Sequence, residues 1–118
     1  MYQIYFYKDR KGNYPVFDYI KKLKTKNDKD SRIKSSKIND YIQALSVYGT
    51  QIGEPYLKHL EGEIWELRPL RDRILFAAWI DNSFVLLHNF MKKTQKTPKA
   101  EIEKAKKELS EIRQRGLE

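Results

Sequence analysis

Arg68 and Arg73 flank a four-residue segment, Pro69-Leu70-Arg71-Asp72, between two stretches rich in apolar and aromatic residues. A connection this short predicts an antiparallel hairpin, in which the two arginines face each other with Cβ atoms about 4.5 to 5.5 Å apart. Neither guanidinium releases its proton to relieve the repulsion, so the pair requires an anion nearby. A phosphate fits, because guanidinium donors match phosphate oxygens two at a time.

Glu66 is the carboxylate closest to this pair, because the same register puts it on the strand face that carries Arg68. Two interpretations stay open. In the first, the three side chains form an Arg-Glu-Arg cluster whose charges are satisfied within the protein. In the second, they form a phosphate site, because one carboxylate neutralises only one of the two arginines. Lys92 and Lys93 follow the third strand of the sheet, and we expect Lys93 to point at the arginines because strand neighbours lie on opposite faces.

Few other side chains offer reactive groups. His59, next to Lys58 and before the hairpin, is either an exposed residue or a proton-transfer group, whereas His88 in mid-strand is expected to be a hydrogen-bonded packing residue. The histidines and carboxylates lack the spacing of a zinc site, so we predict no metal and no cofactor. The sequence has no cysteine, which excludes disulfides, thiolate metal sites and a cysteine nucleophile.

The elements that position these residues follow from hydrophobic periodicity and from turn residues. They are a strand over residues 2–7, a helix over 15–25, a helix from Asp30 or Ser31 to Gly49, a loop over 49–62, strands over 63–68, 73–80 and 84–91, and a helix that begins at Thr97-Pro98 and ends before Gly116. The order β-α-α-β-β-β-α predicts the α+β class, in which two N-terminal helices and one C-terminal helix pack on an antiparallel sheet. This sheet combines the first strand with a three-stranded meander, and residues 1–118 are expected to form one domain.

The charge of the chain favours an anionic partner. Its 24 Lys and Arg against 16 Asp and Glu give a net charge of +8. The surplus is concentrated, because residues 19–37 hold eight basic residues against two Asp, and residues 84–100 hold four Lys and no acid. For the first stretch, two interpretations remain: a solvated surface that keeps the protein soluble, or guidance of a polyanion toward the protein.

No membrane segment is predicted. The longest apolar run, Ile74 to Ile80, has seven residues, and a membrane-spanning helix needs about 20. The first ten residues alternate polar and aromatic side chains and do not resemble a secretory signal. A cytoplasmic protein is the simplest expectation.

An ordered series of motifs extends from residue 58 to residue 105. It consists of Lys58-His59-Leu60-Glu61-Gly62, Glu66-Leu67-Arg68, Arg73 with Phe76, Leu86-Leu87-His88-Asn89-Phe90-Met91-Lys92-Lys93, Thr97-Pro98, and Glu101-Ile102 with Ala105. This series resembles the HigB toxins of the RelE superfamily, in the subgroup of phage-derived Gp49-like proteins. The resemblance covers about half of the chain, and the N-terminal half matches only in the order of its elements.

The resemblance implies a RelE-like fold and the toxin of a type II toxin-antitoxin system. Such a toxin is a metal-free, ribosome-dependent endoribonuclease that cuts messenger RNA and so inhibits translation. A HigA-like helix-turn-helix antitoxin holds it inactive in a hetero-oligomer. In the reaction, the ribose 2'-oxygen attacks the neighbouring phosphate and leaves a 2',3'-cyclic phosphate and a 5'-hydroxyl.

The motif positions also imply roles for single residues. Arg73 matches the phosphate-binding arginine, Lys93 the second basic residue and Arg68 the arginine of the Glu-Leu-Arg motif. Residues 94–118 contain no tyrosine or histidine for proton transfer, so the candidates for the general base are Lys58, His59 and Glu66, in that order. Further RNA-binding positions are expected at Lys92, Lys96, Arg71, Lys22 and Lys26. Two alternatives remain: a non-catalytic RNA- or DNA-binding module in an autorepressor complex, and a protein whose surface serves only an antitoxin-like partner.

Overall fold

The structure of the protein is a computed structural model that describes residues 1–117. Its elements are β1 (Gln3–Phe6), α1 (Pro15–Thr25), α2 (Lys29–Tyr48), β2 (Leu57–Glu61), β3 (Ile64–Leu67), β4 (Asp72–Trp79), β5 (Ser83–Met91) and α3 (Lys99–Arg115). A 3-10 turn, Gly49–Ile52, follows α2 directly. The three helices and five strands found in residues 1–117 confirm the predicted α+β class.

The five strands form one sheet in the order β1-β5-β4-β3-β2. Strands β2 to β5 form an antiparallel meander, whereas β1 lies parallel to β5 at the sheet edge. The prediction of a wholly antiparallel sheet is therefore wrong at β1. The chain runs through α1 and α2 between β1 and the meander, and a connection of this length permits either direction of pairing.

Strand β2 lies within the segment that the sequence predicts to be a loop. It pairs with β3 through Leu57 opposite Leu67 and His59 opposite Trp65, and the register shifts between His59 and Glu61. The shift breaks the alternation of apolar and polar residues that normally reveals a strand. In addition, β2 lies at an edge of the sheet, where most side chains face water and carry no apolar signal.

Two helix starts also differ from prediction. Asp28, and not Asp30 or Ser31, caps α2, because its Oδ1 accepts a 2.8 Å hydrogen bond from the Ser31 amide. Helix α3 begins at Lys99, and Thr97 does not cap it: the Thr97 hydroxyl donates a 2.5 Å hydrogen bond to Glu66 Oε2. The predicted end of α2 is confirmed at Gly49, whose φ of 64° suits glycine.

The sheet separates two apolar layers. Helices α1 and α2 cover one face, where Leu23, Ile38 and Leu45 pack on Ile74, Phe76 and their neighbours. Helix α3 covers the other face with Ala105, Leu109 and Ile112, which pack on residues that include Ile64, Leu75 and Ala77. Because side chains alternate along a strand, Glu66 and Arg73 belong to the face that α3 covers. This face therefore holds Glu66 and the arginine hairpin.

A polar contact ties the end of β1 to α3 and predicts an acid-sensitive stability. The Tyr7 hydroxyl donates a 2.6 Å hydrogen bond to Glu111 Oε1, and Arg10 pairs with the same carboxylate. These hydrogen bonds, that of Tyr7 first, lower the pKa of Glu111 from 4.5 to about 2. The ionised Glu111 therefore stabilises the folded state, and this contribution to the free energy of unfolding is fully present above pH 4.5 and is lost as the pH falls toward 2.

Urea unfolding between pH 6 and pH 2 measures this effect. The difference in unfolding free energy between the wild type and Glu111→Gln is expected to be largest above pH 4.5 and to shrink toward pH 2. Glu103→Gln, on the exposed side of the same helix, serves as the control and retains the wild-type pH dependence. A constant difference between wild type and Glu111→Gln across this range would contradict the assignment.

Candidate phosphate-binding site

The hairpin of β3 and β4 brings Arg68 and Arg73 together. The strand register pairs Glu66 with Leu75 and Leu67 with Ile74, and one further step puts Arg68 opposite Arg73. Both arginines lie on the sheet face that α3 covers, as does Glu66. The geometry is the one that the length of the connection predicts.

Glu66 lies buried between the two guanidinium groups, with 1% of its surface exposed. Its Oε1 is 3.5 Å from Arg68 Nε and 3.9 Å from Arg73 Nε, and its Oε2 accepts the Thr97 hydrogen bond. One carboxylate thus faces two guanidinium groups, which leaves a surplus of one positive charge. The buried Asp72 also attracts Arg73, but its own counter-charge is Lys34, at 3.9 Å. Because both oxygens of Glu66 are engaged inside the protein, this residue is suited to be a counter-charge and is poorly placed to act as the base.

Arg73 is held rigidly, with only 7% of its surface exposed. Its Nη1 donates hydrogen bonds of 2.9 Å to the carbonyl oxygens of Leu70 and Asp72. Burial, and next the neighbouring Arg68, lower the pKa of Arg73, although Glu66 opposes this effect. An arginine nevertheless stays charged at neutral pH.

Arg68 carries an unsatisfied donor beside this second positive charge. Its Nε is buried and has no hydrogen-bond partner among residues 1–117. A buried donor without a partner costs about 1 to 3 kcal/mol, more when the group is charged. An anion beside the arginines relieves their repulsion, although Arg68 is not among the residues that line the cavity beside Arg73.

A cavity of about 520 Å³ opens beside Arg73. It is lined by Arg73, by Glu101 of α3 and by the segment from Phe90 to Pro98. Lys92 and Lys93 both line it, whereas the sequence favours Lys93 alone as the lysine that points at the arginines. Strand alternation no longer separates the two lysines, because β5 ends at Met91. Lys96 is a third lysine among the residues that line the same cavity.

A second cavity, of about 490 Å³, adjoins the first. Met91 lines both cavities. A backbone hydrogen bond also links them: the amide of Lys92, in the first cavity, donates to the carbonyl oxygen of Arg71, in the second, at 2.7 Å. Lys22 of α1 and Lys26, which follows α1, line the second cavity; both are RNA-binding positions expected from the sequence. Lys34 of α2 lines it too and is not among those positions. We call the basic side chains of the two cavities the basic track: Lys22, Lys26, Lys34, Arg71, Arg73, Lys92, Lys93 and Lys96.

The structure does not bring Lys58 and His59 into the cavity beside Arg73. Lys58 is exposed. In the register of β2 and β3 it stands opposite Glu66, so it lies on the same sheet face as the arginines. His59 lies on the opposite face, where its ring is 4.9 Å from that of Trp65 and its Nε2 is 2.7 Å from the Gly62 carbonyl oxygen. His59 is therefore removed from the candidates for the base.

Glu101 lines the cavity, and the site residues predicted from the sequence do not include it. Its Oε1 is 2.9 Å from Nε2 of His88, a buried residue that is hydrogen-bonded as predicted. A signal was present in the sequence, because Glu101, Ala105, Glu108 and Ile112 follow helical spacing and therefore share one stripe of α3. Glu101 and Glu108 share this stripe with the core residues Ala105 and Ile112, which suggests that a polar side chain buried beneath α3 binds the two carboxylates.

Two structural observations bear on the class of protein. Within residues 1–117, no three His, Asp or Glu side chains form a cluster able to hold a metal ion. In the same residues, no helix combines the length and the apolar character needed to cross a membrane.

The chain matches the sequence model of a known family. The sequence model of the family described as "Phage derived protein Gp49-like" matches residues 18–110. The matched segment starts in α1, ends in α3 and contains the arginine hairpin and both cavities. No curated protein matches the chain.

Proposed function

Because the chain belongs to the phage-derived Gp49-like family, we propose that it is the toxin of a type II toxin-antitoxin system and acts as a metal-free endoribonuclease on messenger RNA. The family is part of the RelE/HigB-type toxin group and is associated with toxins that have an antitoxin partner. We further propose that the chain is a HigB toxin of one domain. It acts in the cytoplasm on messenger bound to the ribosome and so inhibits translation.

The observation that carries the proposal is the arginine pair with its single buried carboxylate. Arg68 and Arg73 share Glu66, so the pair retains a positive charge next to a cavity whose wall adds Lys92, Lys93 and Lys96. A phosphodiester brings one negative charge, and the transition state of 2'-oxygen attack brings a second. Fixed guanidinium groups that meet this developing charge stabilise the transition state more than the ground state.

The proposed reaction needs little further chemistry from the protein. The 2'-oxygen must lie in line with the phosphorus and the leaving 5'-oxygen, and orientation of this kind supplies about 7 to 11 kcal/mol of the barrier. The ribosome holds a messenger in a defined conformation, which supports a ribosome-dependent reaction. The basic track extends beyond the arginines, so it contacts several successive phosphates of one RNA strand.

Lys22 and Lys26 provide a test of this binding path, because they line the second cavity but not the cavity beside Arg73. The double variant Lys22→Ala/Lys26→Ala is expected to weaken RNA binding for all sequences alike. The slope of log K against log salt should become shallower by about 0.7 for each RNA phosphate that the variant no longer neutralises. Fluorescence anisotropy of a labelled RNA at several salt concentrations measures both quantities.

The matched control is Lys104→Ala/Lys107→Ala, which removes the same charge from the exposed side of α3. This variant is expected to keep nearly the wild-type salt slope. Equal slopes for the two double variants would contradict the proposed path of the RNA.

The antitoxin partner is proposed to be a HigA-like helix-turn-helix protein that forms a hetero-oligomer with this chain. A net charge of +8 supports a partner with an acidic contact surface. A short helix-turn-helix reading frame beside the gene is the expected genomic context. Co-expression of that product should restore growth, and its failure to bind the purified protein would contradict this assignment.

The chemistry of the RNA ends tests the proposed activity in a purified system. Ribosomes programmed with a labelled messenger are incubated with the protein, and the fragments are then analysed. The proposal expects 5'-hydroxyl ends and 3' ends that resist phosphatase until mild acid opens the cyclic phosphate. Fragments with 3'-hydroxyl ends would contradict it, and salt-sensitive binding with no fragments at all would favour the non-catalytic binding module.

A further inference from the structure

A buried histidine joins two carboxylates on one side of the cavity. His88 has 2% of its surface exposed. Its Nδ1 is 2.6 Å from Glu108 Oε1, and its Nε2 is 2.9 Å from Glu101 Oε1. Both ring nitrogens thus face carboxylate acceptors, and the two glutamates lie on opposite sides of the ring.

The protonation of the ring decides how many of these two contacts are hydrogen bonds donated by His88. A neutral imidazole has one N–H, so it donates to only one of the two carboxylates. Both contacts are satisfied when the ring is an imidazolium, or when one carboxyl group carries the proton instead.

The three side chains also differ in their access to solvent. The exposed fraction is 10% for the Glu108 side chain, 3% for His88 and 29% for Glu101. Glu101 is thus the accessible member, and it lines the same cavity as Arg73 and Lys93. The hydrogen bonds of residues 1–117 engage Oε1 of Glu101, whereas Oε2 has no hydrogen bond within that part of the chain.

We propose that Glu101 is the general base of the RNA cleavage, and that His88 and Glu108 are positioning residues that act through it. The inference rests on the proposed function and deepens it. The other candidates for the general base are placed less favourably. Lys58 and His59 do not line the cavity, and both oxygens of Glu66 are engaged by other side chains of the protein.

The step balances in protons and electron pairs. Glu101 Oε2 takes the proton of the 2'-hydroxyl, and the electron pair left on the 2'-oxygen forms the new bond to phosphorus. The bond from phosphorus to the 5'-oxygen breaks, and the departing oxygen takes a proton from the Lys93 ammonium. Exchange with water then returns the proton from Glu101 to solvent and reprotonates Lys93.

His88 and Glu108 give Glu101 its orientation. A base that is itself held by a second hydrogen-bonded group is the arrangement that nucleophile activation generally requires. Here His88 Nε2 holds Oε1 of Glu101 at 2.9 Å, while Oε2 has no hydrogen bond among residues 1–117 and Glu101 lines the cavity. Glu108 holds the opposite nitrogen and thereby fixes the plane of the ring.

The decisive variant is Glu101→Gln, which keeps the size of the side chain and removes the basic oxygen. Cleavage of messenger on programmed ribosomes is measured for this variant over a range of ribosome concentrations. We expect kcat to fall about 10²- to 10⁴-fold and KM to stay within about twofold. Glu101→Asp should recover part of the activity, because a carboxylate is present again. The matched control, Glu103→Gln, removes an exposed carboxylate two residues away and should behave as the wild type.

The outcomes separate this inference from the proposed function. If the wild type cleaves and Glu101→Gln cleaves equally well, Glu101 is not the base, although the endoribonuclease proposal stands. If the wild type yields no fragments in any condition, the proposed function itself fails.

The role of His88 is tested with two variants of one buried position. His88→Gln retains a donor for Glu101, whereas His88→Leu retains bulk without a donor. We expect His88→Leu to lose more kcat than His88→Gln, with KM unchanged in both. Equal losses of kcat in the two variants, each in proportion to a lower melting temperature, would show that His88 only packs and would overturn its positioning role.

Discussion

Replacing Arg73 with alanine is expected to abolish growth arrest and to slow messenger cleavage by about 10²- to 10³-fold, the usual effect of removing one fixed donor to a developing oxyanion. Arg73 is suited to this role because two backbone carbonyls fix its Nη1 while the side chain borders the cavity. Such a group needs no reorganisation when charge develops on the phosphate. Induced expression, together with a cleavage assay on purified ribosomes, measures both effects.

Two controls accompany this variant. Arg113→Ala removes the same charge at the far end of α3, where Arg113 pairs with the exposed Glu63, and should leave the toxicity intact. Arg73→Lys keeps the charge but not the paired donors, so we expect it to recover only part of the activity. Thermal melting verifies that each variant is folded. Undiminished growth arrest by a folded Arg73→Ala protein would remove Arg73 from the site.

Replacing Glu66 with alanine is expected to lower the free energy of unfolding by about 3 to 5 kcal/mol, the cost of removing one member of a buried ionic cluster. The loss is large because Arg68 and Arg73 are then left facing each other with no counter-charge, and the Thr97 hydroxyl loses its acceptor. Urea unfolding at pH 7 measures the change.

The control for this variant is Glu63→Ala, which removes a carboxylate from an exposed ion pair with Arg113. An exposed pair of this kind contributes about 0 to 1 kcal/mol. If Glu66→Ala were destabilised no more than Glu63→Ala, the arginines would not depend on Glu66 as their counter-charge. Addition of phosphate should restore part of the stability of Glu66→Ala if the arginines bind it, since a ligand that binds only the folded state stabilises it.

The arginine pair could be predicted from the sequence because the features that create it are local. A four-residue connection between two apolar segments fixes the hairpin, and the hairpin fixes which residues face each other. The same holds for α1 and α2, whose ends carry Pro15 and Gly49. These features depend on a few neighbouring residues and not on the rest of the chain.

Other features depend on contacts between distant segments, and the sequence did not reveal them. Strand β1 pairs with β5 across two intervening helices, a connection that permits either direction, and β2 is concealed by its register shift. Both Lys92 and Lys93 reach the cavity because β5 ends at Met91, and a strand end is hard to locate to one residue.

The part of the site contributed by α3 was missed for the same reason. Glu101 stands out as a candidate base only through its contact with His88, which is 13 residues away in the sequence and on another element. Likewise, Thr97 matches a helix-capping pattern, yet its hydroxyl donates to the buried Glu66 instead. A charged acceptor forms the stronger hydrogen bond, and its proximity to Thr97 became apparent only in the folded structure.

The central claim is that the paired arginines of the β3–β4 hairpin act on an RNA phosphate, and mapping of messenger ends in induced cells tests it most directly. Primer extension is performed on RNA from cells that express either the wild type or Arg73→Ala at equal protein levels. We predict discrete new 5' ends within translated messages, bearing 5'-hydroxyl groups, for the wild type, and their absence for Arg73→Ala. The same pattern of cut ends in both strains, or growth arrest by the wild type with intact messages, would contradict the claim.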